Sequence, residues 1–253
     1  MLLEISRLTK RFGGLKAVSE FDISVGEGEI VGLIGPNGAG KSTVFNLITG
    51  VLPVTSGTVM FRDKDITRKQ PHQVAALGVG RTFQLNPLFP GFTVLENVTS
   101  SFYLHPRSSL ADTFFNTRKY RRNEAFIQEK AHEILEVVGL SKEANDLAGN
   151  LAHGHQKMLG VARALATKPT LLLLDEPLAG MNPSEIQHSL DAIKGMRDNG
   201  ITVLIVEHNM QILNLCDRVV VISFGQKICE GLPQEVRANQ EVISAYFGAD
   251  YVC

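Results

Sequence analysis

The stretch EIVGLIGPNGAGKSTVFNLITG, Glu29–Gly50, decides how the rest of the chain is read. EIVGLIG is short and continuously apolar, as expected of a strand buried on both faces. KSTVFNLITG reads as a helix, with Gly50 at its C-terminal end. Between them GPNGAGKST, Gly35–Thr43, has the spacing G-x-x-x-x-G-K-[ST]. A strand before it and a helix after it are the context that gives this spacing meaning. Gly35, Pro36, Asn37, Gly38, Ala39 and Gly40 form a loop whose glycines let backbone N–H groups close around phosphate oxygens. The helix start adds a favourable dipole. Lys41 supplies positive charge for the outer phosphates, the Ser42 hydroxyl suits Mg²⁺, and the Thr43 hydroxyl can donate to a phosphate.

A second apolar strand ends in acids: TLLLLDEP, Thr170–Pro177. Asp175 at its end can hold Mg²⁺ through water, and Glu176 can polarise an attacking water. This pair of motifs still fits a small-molecule kinase, a GTPase or a motor. A GTPase needs an NKxD base reader, and the chain has none.

Working outward, LLEISRLTKRF and KAVSEFDISVGEGE read as strands broken by glycine, and SGTVMFRDKDIT as a hairpin-like pair. The composition changes at about Leu85. TVLENVTSSFYL and RRNEAFIQEKAHEILEVVGL are helical, the second with Ile127, Ala131, Ile134, Leu135 and Val138 at helical spacing. Beyond Gly154 a helix is followed by strand TLLLLDE, helix NPSEIQHSLDAIKGMRDNG, strand TVLIVE, helix NMQILNLC and strand RVVVIS. Short apolar strands alternating with helices predict a parallel sheet covered on both faces, an α/β fold.

The 253 residues are 44% hydrophobic and carry a net charge of -1, an ordinary globular composition with no general affinity for nucleic acid or anionic lipid. SFYLHPRSSLADTFFNTRKYRR, Ser101–Arg122, interleaves aromatic and basic residues, but the near-zero total charge points to a solvated helical face. Cys216, Cys229 and Cys253 are far apart with no CxxC, which argues for reduced thiols. The N-terminus has charges from Glu4 onward, which argues against a signal peptide. The longest apolar runs, TLLLL and RVVVIS, are far shorter than the roughly 20 residues a membrane span needs. The expectation is a protein soluble when isolated.

NLAHGHQKML, Asn150–Leu159, offers a metal site, a helix cap or a variant phosphate-reading turn. His153 and His155 alternate, so a helix points them to different faces, which disfavours zinc.

Taken in order, GPNGAGKST, Gln84 in RTFQ, LAHGHQ, LLLLDEP, AGMNP and His208 in VEHNM resemble the ATP-binding subunit of ABC transporters. RFGGLKAV, GVGRTFQLNPLFPGFTVLENV, LDEPLAGMNPSE and EVISAYFG are similar to the LivG-type ATPases of branched-chain amino acid importers. The resemblance covers Met1 to Gly248 and makes a P-loop kinase unlikely to account for all three of LAHGHQ, Gln84 and His208. It implies a P-loop NTPase (RecA-like) core with an N-terminal antiparallel β subdomain, over 1–84 and 160–253, and an inserted α-helical subdomain over 85–159.

The same resemblance implies roles. Phe12 stacks on adenine; Gln84 approaches Mg²⁺ and the attacking water; His208 contacts the γ-phosphate. Leu151, Ala152, His153, Gly154, His155 and Gln156 face ATP bound on a second subunit, with Ala152 where the wider family has serine. Asn182 stands where many relatives have Asp and where the LivG-like pattern has Asn, and it can equally cap the helix that follows. The implied assembly has a second ATP-binding subunit (a heterodimer is favoured, a homodimer is possible), two membrane permease subunits and, indirectly, a substrate-binding protein. Leu85–Glu96 and parts of the Ser101–Arg122 insert would form a groove for a permease helix at the cytoplasmic face of the membrane. Urea, amides or other amino acids remain alternative cargoes, as do a lipopolysaccharide-export ATPase and a soluble ATP-dependent clamp without membrane partners.

Overall fold

The computed structural model describes residues 1–84, 87–102, 112, 114–208 and 210–247. Outside them lie Leu85 and Asn86 of the expected groove, most of the insert between residues 103 and 113, Asn209, Gly248 and Cys253. The strands are β1 (Leu3–Phe12), β2 (Leu15–Val25), β3 (Ile30–Ile34), β4 (Ser56–Phe61), β5 (Lys64–Asp65), β6 (Val79–Arg81), β7 (Leu171–Asp175), β8 (Thr202–Val206), β9 (Arg218–Ser223) and β10 (Gln226–Gly231). The described helices are α1 (Lys41–Ile48), α2 (Pro71–Ala76), α3 (Val94–Ser101), α4 (Arg118–Val137), α5 (His153–Ala166), α6 (Pro183–Asp198), α7 (Pro233–Ala238) and α8 (Gln240–Phe247).

The chain divides into two compact units, one of 1–81, 170–176 and 196–253, the other of 82–169 and 177–195. The first unit holds both sheets. Strands β2-β1-β4-β5 form an antiparallel sheet, and β10-β9-β3-β8-β7-β6 form the second. From β9 to β6 every pairing in the second sheet is parallel, and only β10 runs against its neighbour. All five residues of β3, β7 and β8 are buried. That burial is the reason these strands read as unbroken apolar runs instead of alternating ones. Leu33, Leu173, Leu204 and Val206 share a core with Phe21, Phe45 and Phe61 from the antiparallel sheet and α1. Burying each such side chain contributes about 1.5–3 kcal/mol.

β4 and β5 form the expected hairpin, closed by Arg62 and Asp63 with φ of 48° and 58°. That pair of left-handed residues suits the twist of a two-residue turn. The parallel order places the carboxyl ends of β3, β8 and β7 side by side on one edge of the sheet. β3 sends its chain to a helix, and its two neighbours arrive from far along the sequence. This is the switch-point geometry at which open α/β sheets bind ligands.

In the second unit α3, α4 and α5 pack on one another. Ile127, Ala131 and Leu135 are the buried stripe of α4, as their spacing predicts. The expected boundary at 159/160 falls inside α5, which runs unbroken from His153 to Ala166 and belongs wholly to this unit. Residues 177–195 join it as well. The helix expected over NMQILNLC is a 3₁₀ turn at Met210–Asn214, with Leu215 N–H donating to the Ile212 carbonyl at 2.9 Å. Such tight turns run for only a few residues, so the segment stops short of Cys216. Among the described residues no helix is long and apolar enough to cross a membrane.

Candidate functional site

The loop between β3 and α1 is shaped by contacts that exclude side chains. A Cβ on Gly35 would lie 2.1 Å from the Ile222 carbonyl oxygen, and one on Gly40 would lie 2.7 Å from that of Ala17. Gly40 also has φ 109°, in the region L side chains avoid, and it is the residue from which α1 starts. Ala39 is buried, its carbonyl accepting from Gly225 N–H at 2.9 Å, and its own N–H reaches Pro36 O at 3.2 Å. Asn37 and Gly38 are exposed at the loop tip, and Ser42 is exposed in the first turn of α1, beside the half-buried Thr43.

Lys41 is buried, with its ammonium donating to the carbonyls of Gly35 at 2.6 Å and Pro36 at 2.9 Å. Burial pulls its pKa below the ordinary lysine value, while Glu176, Asp175 and Glu207 oppose that shift. The loop lysine is therefore acted on by the charge of three carboxylates, two at the end of β7 and one after β8. Asp175 is 4% exposed and ion-paired to Arg81, Oδ2 to Nη2 at 3.1 Å. Glu176 has a left-handed backbone, φ 48°, and its N–H donates to Val206 O at 2.9 Å. For a residue with a long side chain that conformation is strained, as residues at reactive sites often are. His208 Nδ1 lies 3.9 Å from Glu176 Oε1 and 3.9 Å from Glu207 Oε2, and the imidazole is about half exposed. Phe12 ends β1 with its ring 47% exposed, 5.0 Å beneath the Lys10 ammonium, so it is available for stacking and is no part of the core.

Thus the phosphate loop, Lys41, Asp175, Glu176 and His208 fall together in the first unit. Gln84, residues 151–156 and Asn182 fall in the second. Gln84 is exposed on a bend. Ala152 precedes α5 as its N-cap with φ −57° and ψ 152°, and no side chain caps the helix. Leu151 is buried, its carbonyl accepting from Gln156 Nε2 at 3.0 Å. His155 Nδ1 lies 4.0 Å from Glu143, while His153 lies against Gly180, where a Cβ would meet its ring at 3.1 Å. Gly154 is buried, and a Cβ there would lie 3.2 Å from both Glu185 Cδ and Met181 Cγ. The turn at 152–154 and the loop at 180–185 are therefore packed directly on each other. Asn182 Oδ1 accepts from Glu185 N–H at 3.0 Å and Ser184 Oγ at 2.7 Å, and Glu185 Oε2 accepts from Asn182 N–H at 2.8 Å. With Pro183 first in α6, this is a full capping box.

Two residues here were not singled out from the sequence. Arg81 binds Asp175, and Glu207, fully buried, accepts from His208 N–H at 3.2 Å. Arg81 ends the three-residue β6 and Glu207 follows β8, so neither closes an apolar run ending in acids as Asp175 does. Burial lowers the Arg81 pKa, and Asp175 works against that shift. Ser42 and Asp175 offer hydroxyl and carboxylate oxygens, the donor chemistry that suits Mg²⁺ shared with substrate phosphates.

A family model described as ABC transporter matches residues 18–179, and one described as branched-chain amino acid ATP-binding cassette transporter matches residues 226–252. The chain is 41% identical over 98% of both chains to the high-affinity branched-chain amino acid transport ATP-binding protein BraF of Pseudomonas aeruginosa. Its identity to the corresponding protein LivG of Escherichia coli is 40%, again over 98% of both. Among solved structures, it is similar to the ADP conformation of an ATP-binding cassette of an ABC transporter, with TM-score 0.84 and 37% identity, covering 98% of each chain. A phosphate loop closed by backbone contacts, carboxylates ranged along the same sheet edge and likeness over nearly the whole length agree: this chain belongs to the ATP-binding subunits of the ABC transporter family.

Proposed function

We propose that the protein binds ATP with Mg²⁺ and hydrolyses it to drive uptake of branched-chain amino acids through membrane partners. The carrying observation is similarity that runs past the cassette itself, into the C-terminal segment matched by the branched-chain amino acid family model. Phe12 stacks on the base. Backbone N–H groups from Gly35 to Gly40 and the Lys41 ammonium hold the phosphates, with Thr43 as a further donor. Ser42, Gln84 and, through water, Asp175 would hold Mg²⁺, which neutralises charge on the phosphate oxygens. Glu176 takes the proton of the attacking water, and His208, beside it, contacts the γ-phosphate.

Leu151 to Gln156 serve a second ATP-binding subunit, most simply a related one, through the N–H groups that open α5. Asn182 supports that turn by capping α6 beside it. The assembly includes two membrane permeases and, indirectly, a substrate-binding protein, with this chain peripheral at the cytoplasmic face. The test is reconstitution with the permeases in vesicles, with ATP inside and labelled leucine, urea or an amide offered outside. ATP-dependent leucine uptake that Glu176→Gln abolishes is expected. Uptake of urea or amide without leucine would reassign the cargo. Failure to associate with any permease would favour the soluble clamp.

A further inference from the structure

Arg81 ends β6 three residues before Gln84 and is buried, its side chain 6% exposed. Its planar fork is shared among separate elements of the first unit. Nη1 donates to Asn46 Oδ1 at 2.8 Å and to Thr49 Oγ1 at 3.0 Å, both from α1 or its cap. Nη2 donates to Asp175 Oδ2 at 3.1 Å at the end of β7. The guanidinium lies 5.6 Å from the centre of the Phe45 ring. Phe45 and Asn46 belong to the helix that begins with Lys41, and Thr49 is its C-cap.

We infer that Arg81 is a positioning residue for nucleotide hydrolysis: it fixes the Asp175 carboxylate against α1, so that the carboxylate meets a divalent cation already aimed. This rests on the proposed nucleotide function. A buried ion pair alone is weak evidence for a stabilising role, because desolvation offsets most of the attraction. The strand does not need the pair to stay in register. β6 is already bonded to β7 along Val79, Gly80 and Arg81. What the fork adds is orientation. A guanidinium can bond a carboxylate and two neutral oxygens at fixed angles, which an ammonium point charge on a flexible stem does not do. Asp175 also has a competing cation nearby. The Asp175 charge acts on Lys41 of the phosphate loop, so the carboxylate sits in the field of two cations, of which Arg81 is bonded to it.

Orientation and simple charge make opposite predictions. If Arg81 acts only as a neighbouring positive charge, removing it strengthens the attraction of Asp175 for a divalent cation. If it aims the carboxylate, removing it weakens the cation site. The experiment measures Mn²⁺ binding by electron paramagnetic resonance in the ADP complex of the full chain, with ADP binding in EDTA as the control. Arg81→Met is expected to weaken Mn²⁺ binding at least tenfold while leaving metal-free ADP binding within threefold, and to lower kcat with little change in KM for ATP. Arg81→Lys, which keeps the charge and loses the fork, is expected to fall between the two, at least threefold weaker than wild type. Unchanged or tighter Mn²⁺ binding in Arg81→Met overturns the role. If that variant does not fold, wild-type Mn²⁺ affinity in Arg81→Lys overturns it equally. Wild-type protein that binds no Mn²⁺–ADP at all would overturn the nucleotide reading itself, a different failure.

Discussion

Helix α1 starts behind Gly40, a left-handed residue whose missing Cβ leaves room for the Ala17 carbonyl oxygen 2.7 Å away. Helix α5 starts behind Ala152, an exposed residue with ordinary extended backbone, φ −57° and ψ 152°. Both present the free N–H groups that attract anions at a helix start. The first has carboxylates whose charge acts on a buried lysine, whereas the second is packed on the 180–185 loop, with Glu185 and Met181 against Gly154. Glu176, with φ 48°, adds a second strained residue on that side. The contrast teaches that one helix start is fixed by backbone contacts beside a group of charges, and the other by side-chain packing from a neighbouring loop.

The charged side is broken most severely by Glu176→Gln. The amide keeps the shape and loses the base, so turnover is expected to fall by about 10²–10⁴-fold, the usual range for a general base. ATP binding is expected to persist. Steady-state hydrolysis beside equilibrium binding of a labelled nucleotide checks this, and normal turnover would remove Glu176 from the mechanism.

Gly40→Ala attacks the constrained start directly. The left-handed backbone costs a non-glycine residue about 1–2 kcal/mol. The close Ala17 oxygen adds roughly 1–3 kcal/mol, because backbone, unlike a side chain, cannot swing aside. Melting is expected to drop by several degrees, with nucleotide binding lost even where the protein stays folded. Wild-type melting and binding together would show that the loop adapts.

These features differ in how far the sequence exposes them, and the reason is locality. GPNGAGKST is legible because loop, lysine and hydroxyl are consecutive, although the contacts that demand glycine at Gly35 and Gly40 come from Ile222 and Ala17, far along the chain. Buried parallel strands announce themselves as apolar runs. Arg81 and Glu207 are single charges whose meaning depends on the strand order β9-β3-β8-β7-β6, which no local pattern encodes. Strand β10 and helices α7 and α8 were also missed. QKICEG has no fully buried position in it, so it carries almost no apolar signal. α5 starts at His153, two residues before the start expected beyond Gly154, which looks like a break but is a buried helical residue with Glu185 and Met181 against it.

On the side of α5 the effects are smaller. Asn182→Ala removes an N-cap whose oxygen satisfies Glu185 N–H, a loss of about 1 kcal/mol. In a chain of this size that is roughly 2–4 °C of melting temperature. The isolated protein is the right sample. If Asn182 served only a partner subunit, its removal would leave the melting of the lone chain unchanged.

Ala152→Ser is the gentlest change and the most telling about the second helix start. The wider family's serine can do two jobs at this place: reach a phosphate on the facing subunit, or cap its own helix. The backbone at Ala152 is already extended, as a capping residue requires, and its side chain is exposed, so a hydroxyl fits without repacking. Capping alone should stabilise the isolated chain by about 0.5–1 kcal/mol. Melting is therefore expected to rise by roughly 1–4 °C. A hydroxyl that also grips nucleotide across the interface should in addition raise the affinity of ATP-dependent dimer closure, measured with Glu176→Gln in the background. A melting rise without a change in closure would mean that backbone N–H groups alone hold the facing phosphate. The alanine would then have cost this chain a helix cap and nothing of its grip.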